Sequence, residues 1–395
     1  MELFKHQKRI LDKNPKKCGL FWSVGTGKTL AVLELLKKNK INDALVIIPK
    51  GLKEQWEEQT DQRVITKETF RRDWNKLNKH STLVIDELHF FLGMQSIKKK
   101  SQMLKSLLSY IKKHNPEYIY GLTGTPYMSS PFNIYAASQI LGYDWNYMKF
   151  KEHFFSMINM GMRYPVPVIK NNIEKDIEEL TKRIGDVVKM ENCFDVPEQI
   201  YQVEYFDISK EQKDAITNLE DEGIARWTKT HQICGGTLKS DGYSKDQEFK
   251  CEKAQRVLTL AKEHPKMVIV CRYNREIEYL KKLTEATQAF TLNGSTLGKH
   301  NVIQEANKAT DALVFVQSSC SEGYGLPDFP IMVFYSHDFS LKNYIQMKGR
   351  IQRADNLKKN VYLSLVTRDS IDDDVYKSIQ AKRDFSIENY AQARS

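Results

Sequence analysis

LFWSVGTGKTLAVLELLKK, residues 20–38, decides how the chain is read. An apolar, strand-like run leads into Gly25-Thr26-Gly27-Lys28-Thr29, and TLAVLELLKK then continues with helical period. A strand, a glycine-containing turn and a helix in that order make a phosphate loop. The glycines let backbone N–H groups turn inward at the helix N-terminus, a lysine neutralises phosphate charge, and a threonine hydroxyl can ligate a divalent cation. The setting points to nucleotide binding, although Trp22 stands where the long form GxxxxGK[ST] has its first glycine.

Outward from this stretch the same rhythm repeats. ALVIIP (44–49), TLVIDE (82–87) and YIYGLT (118–123) read as strands, and GLKEQWEEQ (51–59) and SQMLKSLLSYIKK (101–113) as helices. In the last of these Leu104, Leu107, Leu108 and Ile111 share one face and the lysines lie elsewhere. Strands alternating with amphipathic helices predict a mostly parallel sheet with crossover helices. From about 130 to 250 the rhythm gives way to charged helical patterns, NIEKDIEELTKRIGDVV (172–188) and KEQKDAITNLEDEG (210–223), with a short strand-like IYQVEYFDI (200–208) between them. After Lys253 it returns, with strands MVIVC (267–271), QAFTL (288–292), ALVFVQ (312–317), IMVFY (331–335) and VYLSLV (361–366). The expectation is an α/β protein of two lobes, 1–205 with a helical extension from about 130, and 206–395.

A length of 395 residues, 41% of them hydrophobic, is enough for two cores. Formal net charge is +10, and residues 1–116 hold 24 Lys and Arg against 12 Asp and Glu, so the basic excess belongs to the first third. Such an excess attracts phosphate backbones. The stretch from Leu88 to Pro116 has six lysines and no acid, which makes it a second place for DNA contact or simply a solvated helix face. No apolar run has the length of a membrane span and no hydrophobic signal core follows the N-terminus, so a soluble, cytoplasmic protein is expected. Six cysteines without a CxxC pair give no reason to expect disulfides or zinc.

A phosphate loop needs carboxylates on a neighbouring strand, and LVIDELH supplies Asp86 to hold Mg2+ through water and Glu87 to polarise the attacking water. Thr123-Gly124-Thr125-Pro126 follows the strand YIYGL, where its hydroxyls are either loop groups or a link between hydrolysis and whatever the protein grips. Gln346-Met347-Lys348-Gly349-Arg350-Ile351-Gln352-Arg353 fits QxxGRxxR, with Arg350 and Arg353 spaced to reach a γ-phosphate from a helix start.

GTGKT, DELH, TGTP and QMKGRIQR, in this order, resemble motifs I, II, III and VI of helicase superfamily two, and further segments resemble its Swi/Snf-type branch of DNA translocases. LVIIPKGLKEQWEEQ (45–59) is similar to motif Ia, VITKETFRRD (64–73) to the strand and helix after it, THQICGG (230–236) to a second-lobe segment and SSCSEGYGL (318–326) to motif V. The resemblance runs from FKHQKRIL to DSIDDDVYKSIQAKRDF and implies two RecA-like lobes, with ATP and Mg2+ as cofactors. It implies catalytic roles for Lys28, Asp86, Glu87, Arg350 and Arg353. ATP contacts are implied at Phe4, Gln7 (reading adenine), Gly25, Thr26, Gly27, Thr29, Glu322, Gly323 and Gln346, and Mg2+ at Thr29 and Asp86. DNA contacts are implied at Pro49, Lys50, Thr66, Thr123, Gly294 and Ser321. Gly325 departs from the Asn or Asp usual there, and the arginine-rich brace of the branch is reduced to Lys182-Arg183.

The function so implied is an ATP-dependent DNA helicase or translocase, acting as a monomer on duplex or forked DNA in preference to RNA, with replication or recombination proteins as possible partners. A minimal motor suits a phage or bacterial setting. The competing reading is a nucleotide-gated DNA-binding loader in replication that does not move. An intact Lys28, Asp86, Glu87, Arg350 and Arg353 favours the enzyme, since a clamp has no need of Glu87.

Overall fold

Wherever the apolar runs are continuous the chain forms strands buried on both faces, as a parallel sheet sandwiched between helices requires. The computed structural model describes residues 2–124, 126–127, 130–158, 166–194, 197–240, 246–285, 288–320, 324–352, 358–381, 383–387 and 390–391. They group into two units, Met1–Asp195 and Val196–Ser395.

The first unit holds β1 (Lys17–Trp22), β2 (Ala44–Ile48), β3 (Arg63–Thr66), β4 (Thr82–Asp86) and β5 (Tyr118–Leu122), then the antiparallel hairpin β6 (Phe155–Ile158) and β7 (Val166–Ile169), and β8 (Gly185–Val188). Six of these form one parallel sheet in the order β3-β2-β4-β5-β1-β8. On one face Leu45, Ile47, Leu83, Ile85 and Ile119 pack against Leu104, Leu107 and Tyr110 of the helix Gln102–His114 and against the helix Pro131–Ile140. On the other, Leu20, Trp22, Val46, Ile48 and Leu122 meet the helices Lys5–Lys13, Lys28–Lys38 and Lys53–Gln59.

The second unit begins with β9 (Ile200–Phe206) and the small hairpin of β10 (Thr237–Leu238) and β11 (Gln247–Glu248). It continues with β12 (Lys266–Cys271), β13 (Ala289–Leu292), β14 (Ala312–Gln317), β15 (Ile331–Phe334) and β16 (Val361–Thr367). Its sheet is also six-stranded and parallel, in the order β13-β14-β12-β15-β16-β9. Apolar clusters around Ile269, Phe315 and Leu365 on one face, and around Val268, Val314 and Met332 on the other, cover both sides. These are two RecA-like lobes, as the motif order implied.

Two local readings change. GDVV does not continue the charged helix before it: the helix stops at Ile184, and Gly185–Val188 pairs with β1 as the sheet's last strand. Paired valines favour a strand, and Gly185 lies so close to Gly19 that a Cβ there would stand 2.4 Å from the Gly19 carbonyl oxygen. The expected seam after residue 205 falls inside β9, which pairs with β16 along Ile200–Phe206, so the division lies at Asp195/Val196. Among the described residues no helix is long and apolar enough to cross a membrane.

Candidate nucleotide and DNA site

β1 ends at Trp22, and the chain turns through Gly25 (φ 79°) and Gly27 (φ 80°) into the helix Lys28–Lys38. Both glycines hold left-handed backbone that an L side chain resists. The Thr26 hydroxyl donates to Ser23 O at 2.8 Å, and the Lys28 ammonium donates to Trp22 O at 2.9 Å and Ser23 O at 3.2 Å, which holds its charge over the loop. Thr29 follows on the helix's first turn, half-buried.

The N-terminal helix Lys5–Lys13 is built onto this loop. Gln7 is fully buried; its Nε2 donates to Gly27 O at 3.1 Å and its Oε1 accepts from Phe4 N at 2.8 Å, while His6 Nε2 donates to Thr26 O at 2.9 Å. Gln7, expected to read adenine, thus has its amide on the loop backbone. Phe4 is 37% exposed and meets Phe194 edge-on at 4.8 Å, so these two rings form an apolar wall beside the loop. Trp22 replaces the missing glycine with an anchor. Its indole N–H donates to Asp186 Oδ2 at 2.9 Å, the same oxygen takes Arg9 at 2.6 Å, and the His6 ring stands edge-on to it at 4.8 Å.

β4 delivers the carboxylates. Asp86 Oδ2 accepts from Trp56 Nε1 at 2.8 Å and Oδ1 from the Glu87 N–H at 2.9 Å. Burial, with the Glu87 charge adding to it, pushes the Asp86 carboxyl up to about 6 against the pull of Trp56 and Lys28. Glu87 itself has φ 51° and ψ 53°, a conformation that costs a non-glycine residue about 1–3 kcal/mol and persists only where surroundings enforce it. Its Oε2 lies 3.1 Å from His89 Nδ1, and that nitrogen lies 3.2 Å from Thr123 Oγ1 at the end of β5. His89 therefore bridges DELH to the Thr123 segment; Thr125 lies outside the described residues.

Because β3, β2, β4, β5 and β1 are adjacent and parallel, the segments after them share the sheet's carboxyl edge, the usual ligand edge of such folds. Pro49 and Lys50 open a short 3-10 turn after β2. Thr66 ends β3, where its hydroxyl caps the next helix by accepting from Thr69 N at 3.2 Å. All of these fall on the edge that carries Lys28 and Asp86.

In the second lobe Gly294 follows β13 with open space around its Cα, so crowding does not explain the glycine. Ser321, Glu322, Gly323 and Arg353 lie outside the described residues. Gln346 is buried in the helix Leu341–Lys348, which stops at Gly349, so Arg350 follows a helix end rather than opening a helix. Arg350 is 5% exposed; its Nη1 donates to Tyr324 O at 2.8 Å, its guanidinium lies 5.2 Å from the Tyr324 ring, and its carbonyl accepts from Leu326 N at 2.7 Å. That clasp joins the QMKGRIQR segment to the end of SSCSEGYGL.

Residues 250–355 match the helicase conserved C-terminal domain family. Among solved structures, the SWI2/SNF2 ATPase core of Sulfolobus solfataricus in complex with dsDNA is similar, at 16% identity and a TM-score of 0.43, over 97% of this chain and 91% of that one. No curated protein matches in sequence.

The second unit contains a buried polar network. Lys253 Nζ donates to Asp372 Oδ2 at 2.7 Å with both side chains 1% exposed, and His231 Nε2, from THQICGG, lies 3.5 Å from Asp372 Oδ1. Burial alone would raise the Asp372 carboxyl, but the Lys253 charge and the His231 contact outweigh it and hold it well below the ordinary range. Neighbouring Glu276 is raised by burial to about 7, although it accepts from Ser336. Sequence reading passed over Trp56, His89, Asp186, Phe194 and this network; only DELH and THQICGG held a signal, in their histidines.

Proposed function

We propose that the chain is an ATP-driven translocase on double-stranded DNA, of the Swi/Snf type within helicase superfamily two. What carries the reading is the continuous chain of contacts Glu87–His89–Thr123 beside the Gly25–Thr29 loop. It ties a water-activating carboxylate to a segment on the edge assigned to DNA. Phosphates are held by the loop N–H groups and the Lys28 ammonium, with the base against Phe4 and Phe194. Gln7 and His6 act through the loop backbone, keeping its N–H groups aimed.

The residues suit magnesium. Burial and the neighbouring Glu87 charge raise the Asp86 carboxyl, a divalent cation there would offset both, and Thr29 is the hydroxyl partner for such an ion. Mg2+, when bound, neutralises charge on the phosphoryl oxygens. Glu87 then orients and deprotonates the water. Arg353 is assigned the transition-state charge. Arg350 acts in its clasp with Tyr324, as the brace of that segment.

Duplex DNA is the assigned track because the basic residues concentrate in the lobe that carries Pro49, Lys50, Thr66 and Thr123. The test is steady-state ATP hydrolysis with duplex DNA, single-stranded DNA and RNA. Greatest stimulation by duplex DNA, lost in Lys28→Ala, is expected. Equal rates with all three and with none would overturn the proposal.

A further inference from the structure

After β4 and the 3-10 turn Leu88–Phe91 the chain makes a small arm that none of the helicase motifs includes. Its base is fixed: Leu92 and Met94 are buried in the core, Met94 bridges Lys100 in antiparallel fashion, and Ser101 N donates to Gly93 O at 2.8 Å. Its tip is a tight turn in which Lys99 N donates to Ser96 O at 3.1 Å and Gln95 N to Lys99 O at 2.9 Å. The Tyr147 hydroxyl accepts from Ile97 N at 3.3 Å and ties the turn to the first residue of the helix Tyr147–Phe154.

What this rigid turn displays is unusual. Ile97 is 42% exposed at its corner, Met148 beside the tie is 58% exposed, and Lys98 and Lys99 are exposed next to Ile97. Among the described residues neither lysine pairs with a carboxylate. A β-branched apolar side chain at the corner of a tight turn has little conformational freedom to lose on contact. Two unpaired ammonium groups beside it select a polyanion. An apolar corner flanked by cations matches the way proteins enter a DNA groove, with an aliphatic side chain against the bases and lysines on the flanking phosphates.

We propose that the Ser96–Lys99 turn is a duplex-DNA contact, with Ile97 entering a groove and Lys98 and Lys99 on the backbone. The proposal rests on the DNA-translocase reading and adds a contact outside its motifs. It gives the lysine-rich stretch after DELH a definite point of engagement, ten residues beyond Glu87 in the chain.

The experiment measures binding of the full chain to a fluorescent duplex of about 30 base pairs, and to one of its single strands, across a salt series. Each phosphate contact contributes about 0.9 to the slope of log affinity against log salt, so Lys98→Ala/Lys99→Ala is expected to flatten the duplex slope by about 1.8. Ile97→Ser is expected to leave that slope unchanged and to weaken duplex binding roughly fivefold, as loss of a partly buried aliphatic contact should, while single-strand binding stays the same. Both variants lie on an exposed turn and should melt with the parent. Unchanged duplex binding in both variants would overturn the proposal, and so would an Ile97→Ser loss shared equally by the single strand. A flattened slope with Ile97→Ser unchanged would refute the groove contact. Failure of the unaltered chain to bind any duplex would instead refute the DNA reading beneath it.

Discussion

Gly27→Ala probes how the N-terminal helix and the phosphate loop depend on each other. An alanine Cβ would stand 2.3 Å from Gln7 Nε2, and the backbone there has φ +80°. Left-handed backbone costs an L residue about 1–2 kcal/mol. Displacing Gln7 breaks its bond to Gly27 O and strands a buried amide, a further 1–3 kcal/mol or so. The sum is about 3 kcal/mol against the loop's present shape, or roughly a hundredfold loss of nucleotide affinity. Gln7→Ala alone keeps the glycine but loses two hydrogen bonds, about 1–2 kcal/mol. In the double variant the clash is gone while the backbone strain and the lost Gln7 bonds remain, each counted once, so its loss should fall short of the sum of the singles by about 1 kcal/mol or more. Titration of a fluorescent ATP analogue into the four proteins reads the cycle, with thermal melting run alongside. Additivity within about 0.5 kcal/mol would refute the idea that Gln7 works through the loop.

Glu87→Gln should bind nucleotide like the parent while hydrolysis falls at least about a hundredfold, the size of a lost general base, seen in single-turnover rates. His89→Ala should leave basal hydrolysis largely intact and reduce its stimulation by DNA, because it removes the link between Glu87 and Thr123; equal stimulation in both proteins would count against that link. Arg350→Ala strands the Tyr324 carbonyl and should destabilise its lobe by about 2 kcal/mol in a denaturant melt, whereas Arg353→Ala should melt like the parent and lose roughly 10³-fold in turnover at saturating DNA. Lys253→Met leaves Asp372 buried and uncompensated, a cost of about 3–5 kcal/mol, and Lys253→Met/Asp372→Asn should recover much of it.

Much of the fold was legible because each buried strand is a continuous apolar run and each crossover helix shows its period. GDVV escaped because four residues following a strongly periodic helix look like its last turn until Gly185 is seen against Gly19. β9 escaped as a sheet member because its partner β16 lies far along the chain. In the site, Lys28, Asp86 and Glu87 could be read from short motifs in which neighbours in sequence are neighbours in space. Trp56 and Asp186 could not. Trp56 reaches Asp86 from another crossover helix, and Asp186 reaches Trp22 from the far side of the lobe's sequence, so neither pairing leaves a local pattern. Arg350 shows the converse: its motif spacing says nothing of its burial or of the bond from its Nη1 to the Tyr324 carbonyl.

Displacement of a third strand from a DNA triplex by the full chain tests the central claim most directly, because it registers movement along a duplex without strand separation. With ATP and Mg2+ the third strand should be released at a rate that follows hydrolysis. Release should be absent with a non-hydrolysable analogue and in Lys28→Ala. ATP hydrolysis stimulated by the duplex with the third strand left in place would contradict the motor and leave a nucleotide-gated DNA clamp in its stead.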